Sequence, residues 1–201
     1  VARDEDYLGR PANVTDEVTY VDESVLDDGL PTDVDVVFRL AALSSYAMHE
    51  DDPQHGTRVN VEGFVNTVEQ ARDDGCDTVV YASTSSIYGS RTTPSPESMD
   101  VTVNTGYEAS KMARETYAEY FHNHYDLSLA GMRFFSVYQG YGGAEEHKGE
   151  YANVIAQFAD DMANGEAPVL YGDGTQTRDF THVDDIVRGL VQAAEHELDG
   201  I

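Results

Sequence analysis

Tyr107 and Lys111 stand four residues apart in Thr105-Gly106-Tyr107-Glu108-Ala109-Ser110-Lys111, in a chain where lysine is almost absent. Lys148 is the other copy; the remaining ten cations are arginines. The segment opens a helical pattern, so a spacing of four puts phenol and ammonium on one helix face. A cation beside a tyrosine favours its phenolate and draws a reference pKa of about 10 toward working pH. A phenol tuned in this way serves as general base and then general acid on an alcohol. Because Tyr-x-x-x-Lys also recurs by chance, its weight comes from its surroundings. Ser83-Thr84-Ser85-Ser86-Ile87-Tyr88-Gly89 follows an apolar run ending at Ala82, and Ala41-Ala42-Leu43-Ser44-Ser45 follows one ending at Leu40. In open parallel sheets, ligands bind beyond the carboxyl ends of the strands. A hydroxyl from the first run, with Tyr107 and Lys111, makes an alcohol/ketone site, and the small residues of the second let a flat ligand approach. The plainer reading of the Ser/Thr run is a hydroxyl-rich turn.

The elements that must position these side chains alternate. Val18–Val21, Val34–Leu40, Thr78–Ala82, Leu127–Phe135 and Pro168–Tyr171 read as strands. Pro53–Arg72, residues 107–123, Tyr151–Asn164 and Val183–Glu197 read as helices, with Gly75 placed to cap the first of them. This order predicts an α/β protein with a parallel sheet covered on both faces. A Gly-rich stretch at 139–150 divides the chain into candidate domains 1–138 and 139–201.

The 201 residues suffice for a real core, and 38 acidic residues against 12 basic ones give a formal charge of −26. Such a balance argues against nucleic acid and anionic membranes, which are bound through basic patches. The charge is spread along the chain and reads as a solvated acidic surface of the kind salt-loving organisms use. Cys76 is alone, which excludes an internal disulfide and suits an inert interior residue. No apolar run approaches 18 residues and the first residues form no signal peptide, so the expected location is the cytoplasm. The seven histidines lack metal-ligand spacing, and His122 and His124 suit capping or solvated roles near a helix end.

Six segments carry a resemblance. They are 37–42 (Val-Phe-Arg-Leu-Ala-Ala), 60–63 (Asn-Val-Glu-Gly), 81–89 (Tyr-Ala-Ser-Thr-Ser-Ser-Ile-Tyr-Gly), 107–111, 133–138 (Arg-Phe-Phe-Ser-Val-Tyr) and 171–185. In this order and spacing they resemble the extended short-chain dehydrogenase/reductases, specifically the NAD-dependent nucleotide-sugar epimerases and dehydratases. The likeness runs over nearly the whole chain and is nearest to the UDP-glucose 4-epimerase-like members.

The resemblance implies a Rossmann-type parallel sheet with helices on both faces, plus part of a smaller substrate-binding lobe. It implies NAD as cofactor and a UDP-sugar as substrate, epimerised at C4 through a 4-keto intermediate. Thr84, Tyr107 and Lys111 would be catalytic. Asp22, Ala41, Ala42 and Asn60 would line the cofactor with Tyr107 and Lys111, and Ser136, Tyr171 and Arg178 would join Thr84 at the substrate. Arg178 matches an arginine that clamps a diphosphate, where a planar guanidinium suits bidentate contacts; its plainer reading is a surface ion pair. Turn and cap chemistry is the plainer reading of Asp22 and Asn60. Helices 53–72 and 107–123 form the dimer interface in relatives, which makes a homodimer the expectation.

Five departures qualify the match. Ser85 and Ser86 replace the acidic pair of the dehydratases, which favours epimerisation. Ser136 stands where sugar epimerases often have asparagine, Ser44 where some have lysine, and Arg39 where histidine is usual. The family's Gly-x-x-Gly-x-x-Gly turn, whose helix holds the pyrophosphate, is missing: Gly140-Tyr141-Gly142-Gly143 follows a strand but opens no helix. The resemblance therefore implies a fragment whose first strands and Gly-rich loop are missing and whose sheet edges stay open. The alternatives are a dehydratase or reductase of the same fold, or an inactive fragment that still binds UDP-sugar.

Overall fold

Thr78-Val79-Val80-Tyr81-Ala82 is a run of strand-forming residues with no polar face, so it must be covered on both sides. In the computed structural model it is the central strand β2 (Thr78–Ala82), with all five residues buried. The structure describes residues 17–19, 21, 23–27, 30–90, 94–139 and 152–201. β1 (Val36–Arg39) and β3 (Ser128–Met132) flank β2, both parallel to it, with Val36 opposite Thr78 and Thr78 opposite Ser128. Parallel neighbours need crossovers, and helices supply them. Between β1 and β2 run α1 (Tyr46–Asp51), α2 (Pro53–Thr57), a π-helical turn (Arg58–Glu62) and α3 (Gly63–Asp74). Between β2 and β3 lie a 3-10 turn (Ser85–Tyr88) and α4 (Gly106–Tyr125).

Alternate strand residues build the core. Val79, Tyr81 and Leu129 pack with Phe64, Val68 and Ala71 of α3 and with Ala118 and Phe121 of α4. The Phe64 and Tyr81 rings meet at 5.0 Å. Gly75 closes α3 in the left-handed conformation (φ 78°), as expected, with Cys76 N–H bonded to Ala71 O at 2.8 Å. Cys76 is buried in this core. The chain end returns beside β3: Gly131 N–H donates to Gly200 O and Gly200 N–H to Leu129 O, at 2.8 and 3.0 Å. Gly131 has to be glycine, since a Cβ there would lie 2.5 Å from the Tyr81 hydroxyl.

The expected helix 53–72 is the point of largest internal difference. The short α1, capped by Ser45 on Met48 N–H, precedes it; the segment itself starts as the short α2, capped by Asp52 on His55 N–H, and then widens into the π turn. The widening carries the Asn60 side chain into the interior, where its amide is satisfied by Leu43 and Ser110. The segment 18–21 is no strand in its described residues, and Val18 is exposed.

Two compact units make up the chain: Val1–Arg133 with Gln192–Ile201, and Phe134–Val191. The second contains α5 (Val154–Ala163) and a two-stranded parallel sheet of β4 (Ser136–Tyr138) and β5 (Phe180–His182), with Ser136 opposite Phe180. α6 (Val183–Glu195) follows β5 directly. The expected strand at 168–171 is irregular: Val169, Leu170 and Tyr171 are exposed, and among the described residues no strand pairs with them. A strand needs a ladder partner, which three apolar residues in a row do not guarantee. Among the described residues no helix is long and apolar enough to cross a membrane.

Candidate active site

The helix that carries Tyr107 is anchored at its first turn. The Thr105 hydroxyl caps it by accepting the Glu108 N–H at 3.1 Å, and the Glu108 carboxylate accepts the Asn104 N–H at 2.7 Å. A third orphan donor, Gly106 N–H, goes to the Glu50 carboxylate of α1 at 2.8 Å. Tyr107 is thereby fixed at the second helical position, where the helix dipole favours negative charge. His49 fills the space beside this turn. Its ring is buried, and a Cβ on Gly56 or Gly106 would come within 2.6 and 2.9 Å of it.

Thr84 meets Tyr107 from the other side. It ends the loop after β2 in an extended conformation and caps the 3-10 turn, accepting the Ser86 N–H at 3.2 Å. The Thr84 hydroxyl, which also donates to Ser86 Oγ at 3.1 Å, favours the ionised form of the Tyr107 phenol. Thr84, Tyr107 and Lys111 are all buried. The structure thus brings together the three residues that the strand-end and helix-spacing arguments singled out, while the Lys111 ammonium lies 5.7 Å from the Tyr107 ring centre. Its Nζ donates to the Ala82 carbonyl at the end of β2, at 3.1 Å.

The electrostatics differ from the expectation drawn from the Tyr/Lys spacing. Burial pushes the Tyr107 phenol up from its usual range, opposed by the Thr84 hydroxyl and by the Arg114 charge, with Glu108 adding to the rise. Lys111 is itself pushed well below the usual lysine range by burial and by the neighbouring Arg114 and Arg39. Arg114 is a further cation that favours the phenolate. Sequence reading overlooked it, although 107, 111 and 114 follow the i, i+4, i+7 spacing of a single helix face.

Around this face the strand ends are stitched together. Asn60 holds Leu43 through both its main-chain groups, at 2.9 and 3.2 Å, and donates to Ser110 of α4 at 2.9 Å. Its polar atoms are thus spent on shaping the loop after β1, in which Ala41 and Ala42 stand half-buried. Arg39, unexplained as a residue type by sequence, ties that loop to the π turn by donating to Ala41 O and, at 3.0 Å, to Val59 O. A second network braces the end of β3. Arg133 grips Glu115 of α4 with two bonds of 2.7 and 3.0 Å and donates to the Tyr88 hydroxyl at 3.0 Å, while the Ser83 hydroxyl donates to Glu115.

Ser136, Tyr171 and Arg178 belong to the second unit. Ser136 opens β4. Tyr171 and Arg178 lie in one exposed loop that turns through Gly172 and Gly174 in the left-handed region. The Arg178 guanidinium donates to Thr177 O at 2.8 Å and forms no ion pair among the described residues. Asp22 and Gly140–Gly143 lie outside the described residues. An apolar groove of about 520 Å³ runs along the edge of β1, lined by Val25, Leu30, Val34, Phe38 and Thr67 among others; none of Thr84, Tyr107 and Lys111 lines it.

Known proteins share this fold. The profile of the NAD-dependent epimerase/dehydratase family matches residues 3–200. The UDP-glucose 4-epimerase of Mycolicibacterium smegmatis is 37% identical over 161 residues, 79% of this chain and 50% of that protein. A solved UDP-glucose 4-epimerase from Thermotoga maritima, with UDP-glucose, superposes with a TM-score of 0.86 at 27% identity, over 96% of this chain and 64% of that one. UDP-glucuronic acid 4-epimerase from Bacillus cereus, solved with UDP-glucuronic acid and NAD, gives a TM-score of 0.68 at 28% identity, over 81% and 50%. The chain spans about half the length of the curated relatives it matches. With a parallel sheet of Rossmann type and a Thr/Tyr/Lys cluster at its strand ends, the chain belongs to the NAD-dependent epimerase/dehydratase family.

Proposed function

We propose that the protein is an NAD-dependent nucleotide-sugar 4-epimerase acting on a UDP-sugar of the glucose/galactose type. The observation that carries this reading is the buried group of Thr84, Tyr107 and Lys111 at the end of β2, with the Lys111 ammonium 5.7 Å from the Tyr107 ring centre. Thr84 orients the sugar hydroxyl and Tyr107, once ionised, takes its proton; on return Tyr107 gives the proton back. NAD, when bound, supplies the acceptor and then the donor of the hydride at the sugar carbon. The chain's residues fit that cofactor where they are described. Ala41 and Ala42 leave the end of β1 unobstructed, Asn60 shapes the loop that holds them, and Lys111 presents a buried donor beside Tyr107. Asp22 belongs to the same proposed set. Ser136, Tyr171 and Arg178 are proposed for the UDP part, with Arg178 as the diphosphate contact. In this reading 1–138 is the cofactor part and 139–201 the substrate part.

Ser85 and Ser86 favour epimerisation over dehydration, because neither hydroxyl serves as the acid needed to expel water at neutral pH. The test is interconversion of UDP-glucose and UDP-galactose with added NAD. The expected result is interconversion that falls about 10²–10⁴-fold in Tyr107→Phe. Accumulation of a 4-keto product without interconversion would overturn the reading. A homodimer through 53–72 and 107–123 is part of the proposal, supported by the exposed Tyr117 and Tyr120 on α4. Light scattering that gives the 22.1 kDa monomer mass would remove that part.

A further inference from the structure

Thr84 lies in a short segment whose two ends are tied to one ion pair. Ser83 starts that segment: its N–H donates to Met132 O at 2.9 Å and its hydroxyl to Glu115 Oε1 on α4. Tyr88 ends it, and its hydroxyl accepts from Arg133 Nη1 at 3.0 Å. Arg133 closes the circuit by gripping both oxygens of Glu115, Nε on Oε1 at 3.0 Å and Nη2 on Oε2 at 2.7 Å. Nη1 also donates to Glu97 O at 3.0 Å, on the stretch that leads from the turn to α4.

The side chains of Arg133 and Glu115 are only 9% and 7% exposed. A pair so buried adds little net stability, because the desolvation of both charges offsets their attraction. What it supplies is geometry, since a planar guanidinium fork fixes the direction of its partners as well as their distance. Thr84 needs that help. Its bonds to the Ser86 N–H and hydroxyl are internal to the 3-10 turn, so they orient the Thr84 hydroxyl within the turn and leave the turn itself to be placed by its ends. Glu115 stands on the helix that carries Tyr107 and Lys111, one turn beyond the lysine. The circuit therefore gauges the Thr84 turn directly against that helix.

We propose that Glu115 and Arg133 are positioning residues for the reaction, acting through Ser83 and Tyr88 to hold Thr84 at the Tyr107–Lys111 face. This deepens the function proposed above and rests on Thr84 orienting the sugar hydroxyl.

Two readouts on the full chain test it, and one of them needs no turnover. Ser83→Ala removes one tie and leaves the ion pair whole; Arg133→Lys keeps the charge and loses the fork. A misplacement of about 1 Å costs on the order of 10²-fold in rate, so kcat for UDP-glucose/UDP-galactose interconversion is expected to fall about 10–100-fold in each variant. KM should stay nearly constant, so that kcat and kcat/KM fall together. The second readout is the NMR order parameter of the Thr84 methyl in methyl-labelled threonine, its resonance identified by loss in Thr84→Ser. It is expected to drop in both variants, while that of Thr67, buried on α3 and bonded to Gly63 O, stays unchanged. Should Arg133→Lys fail to fold by circular dichroism, Tyr88→Phe takes its place with the same expectation. A Thr84 methyl as ordered in folded Ser83→Ala as in the parent chain would overturn the proposal. So would an unchanged kcat accompanied by a lower melting temperature, the behaviour of a purely structural pair, or by a raised KM. A parent chain that does not interconvert UDP-sugars sinks the proposed function instead, and the methyl readout then decides by itself whether the pair holds Thr84.

Discussion

Tyr107 sits where several influences oppose one another. Burial and Glu108 hold the proton on the phenol, while Thr84 and Arg114 favour its release. In the proposed reaction the base form must be ionised, so such a balance is expected to move the acid limb of activity toward alkaline pH, read from the pH profile of interconversion. His49 shows the same physics applied to stability. Its buried ring has neither nitrogen hydrogen-bonded and lies 3.8 Å from the Glu50 carboxylate. Burial lowers its pKa from the ordinary 6.5, with Glu50 opposing. Below that value the unfolded chain takes up a proton that the folded one refuses, so this contribution to stability is complete above pH 6.5 and declines as pH falls below it. We predict that His49→Leu flattens the fall of melting temperature between pH 6.5 and 5, where carboxylates are still largely ionised. An identical slope in the variant would count against it.

At the scale of elements, the site is a junction of ends: the ends of β1, β2 and β3, the start of α4 and the π turn. At such ends backbone groups run out of helix and ladder partners, although Ser83 N–H still reaches Met132 O at 2.9 Å. Side chains do the joining. Asn60, Arg114 and Arg39 tie β1 and β2 to α4 and the π turn, and the Arg133–Glu115 pair ties β3 to α4. Both members of that pair are buried, so removing one leaves an uncompensated charge. Glu115→Ala is therefore expected to lower unfolding stability by about 3–5 kcal/mol in urea titration. A loss under about 1 kcal/mol, the range of an exposed pair, would show the network to be dispensable. The π turn belongs to the same logic: a regular helix through 53–72 would rotate Asn60 out of reach of Leu43.

The whole molecule carries a formal charge of −26, yet Arg39, Lys111 and Arg114 lie buried within it. The negative charge is thus a property of the surface, and the surface repels itself. Screening falls from about 10 Å at 0.1 M salt to about 3 Å at 1 M. We predict that melting temperature rises steadily as NaCl is raised over that range, with glucose at matched osmolarity giving a smaller rise. A melting temperature that is flat in salt would remove the argument for a salt-adapted surface.

Several features were legible in the chain itself. The run 78–82 read as a buried strand of a parallel sheet, Gly75 marked a left-handed helix end, and Tyr107, Lys111 and Thr84 were singled out by spacing and by position after strands. These are local facts, written by neighbours within a few residues. The strand expected at 168–171 failed for the converse reason, because pairing depends on a partner that the segment does not contain. The charge state of the site was decided only in three dimensions. Arg114 lies 73 residues from the Ala41 carbonyl it holds, and 32 from the Ala82 carbonyl it shares with Lys111. A pKa sums over everything nearby in space, and it was the fold, and no spacing along the chain, that set Arg114 on the carbonyl that Lys111 also holds.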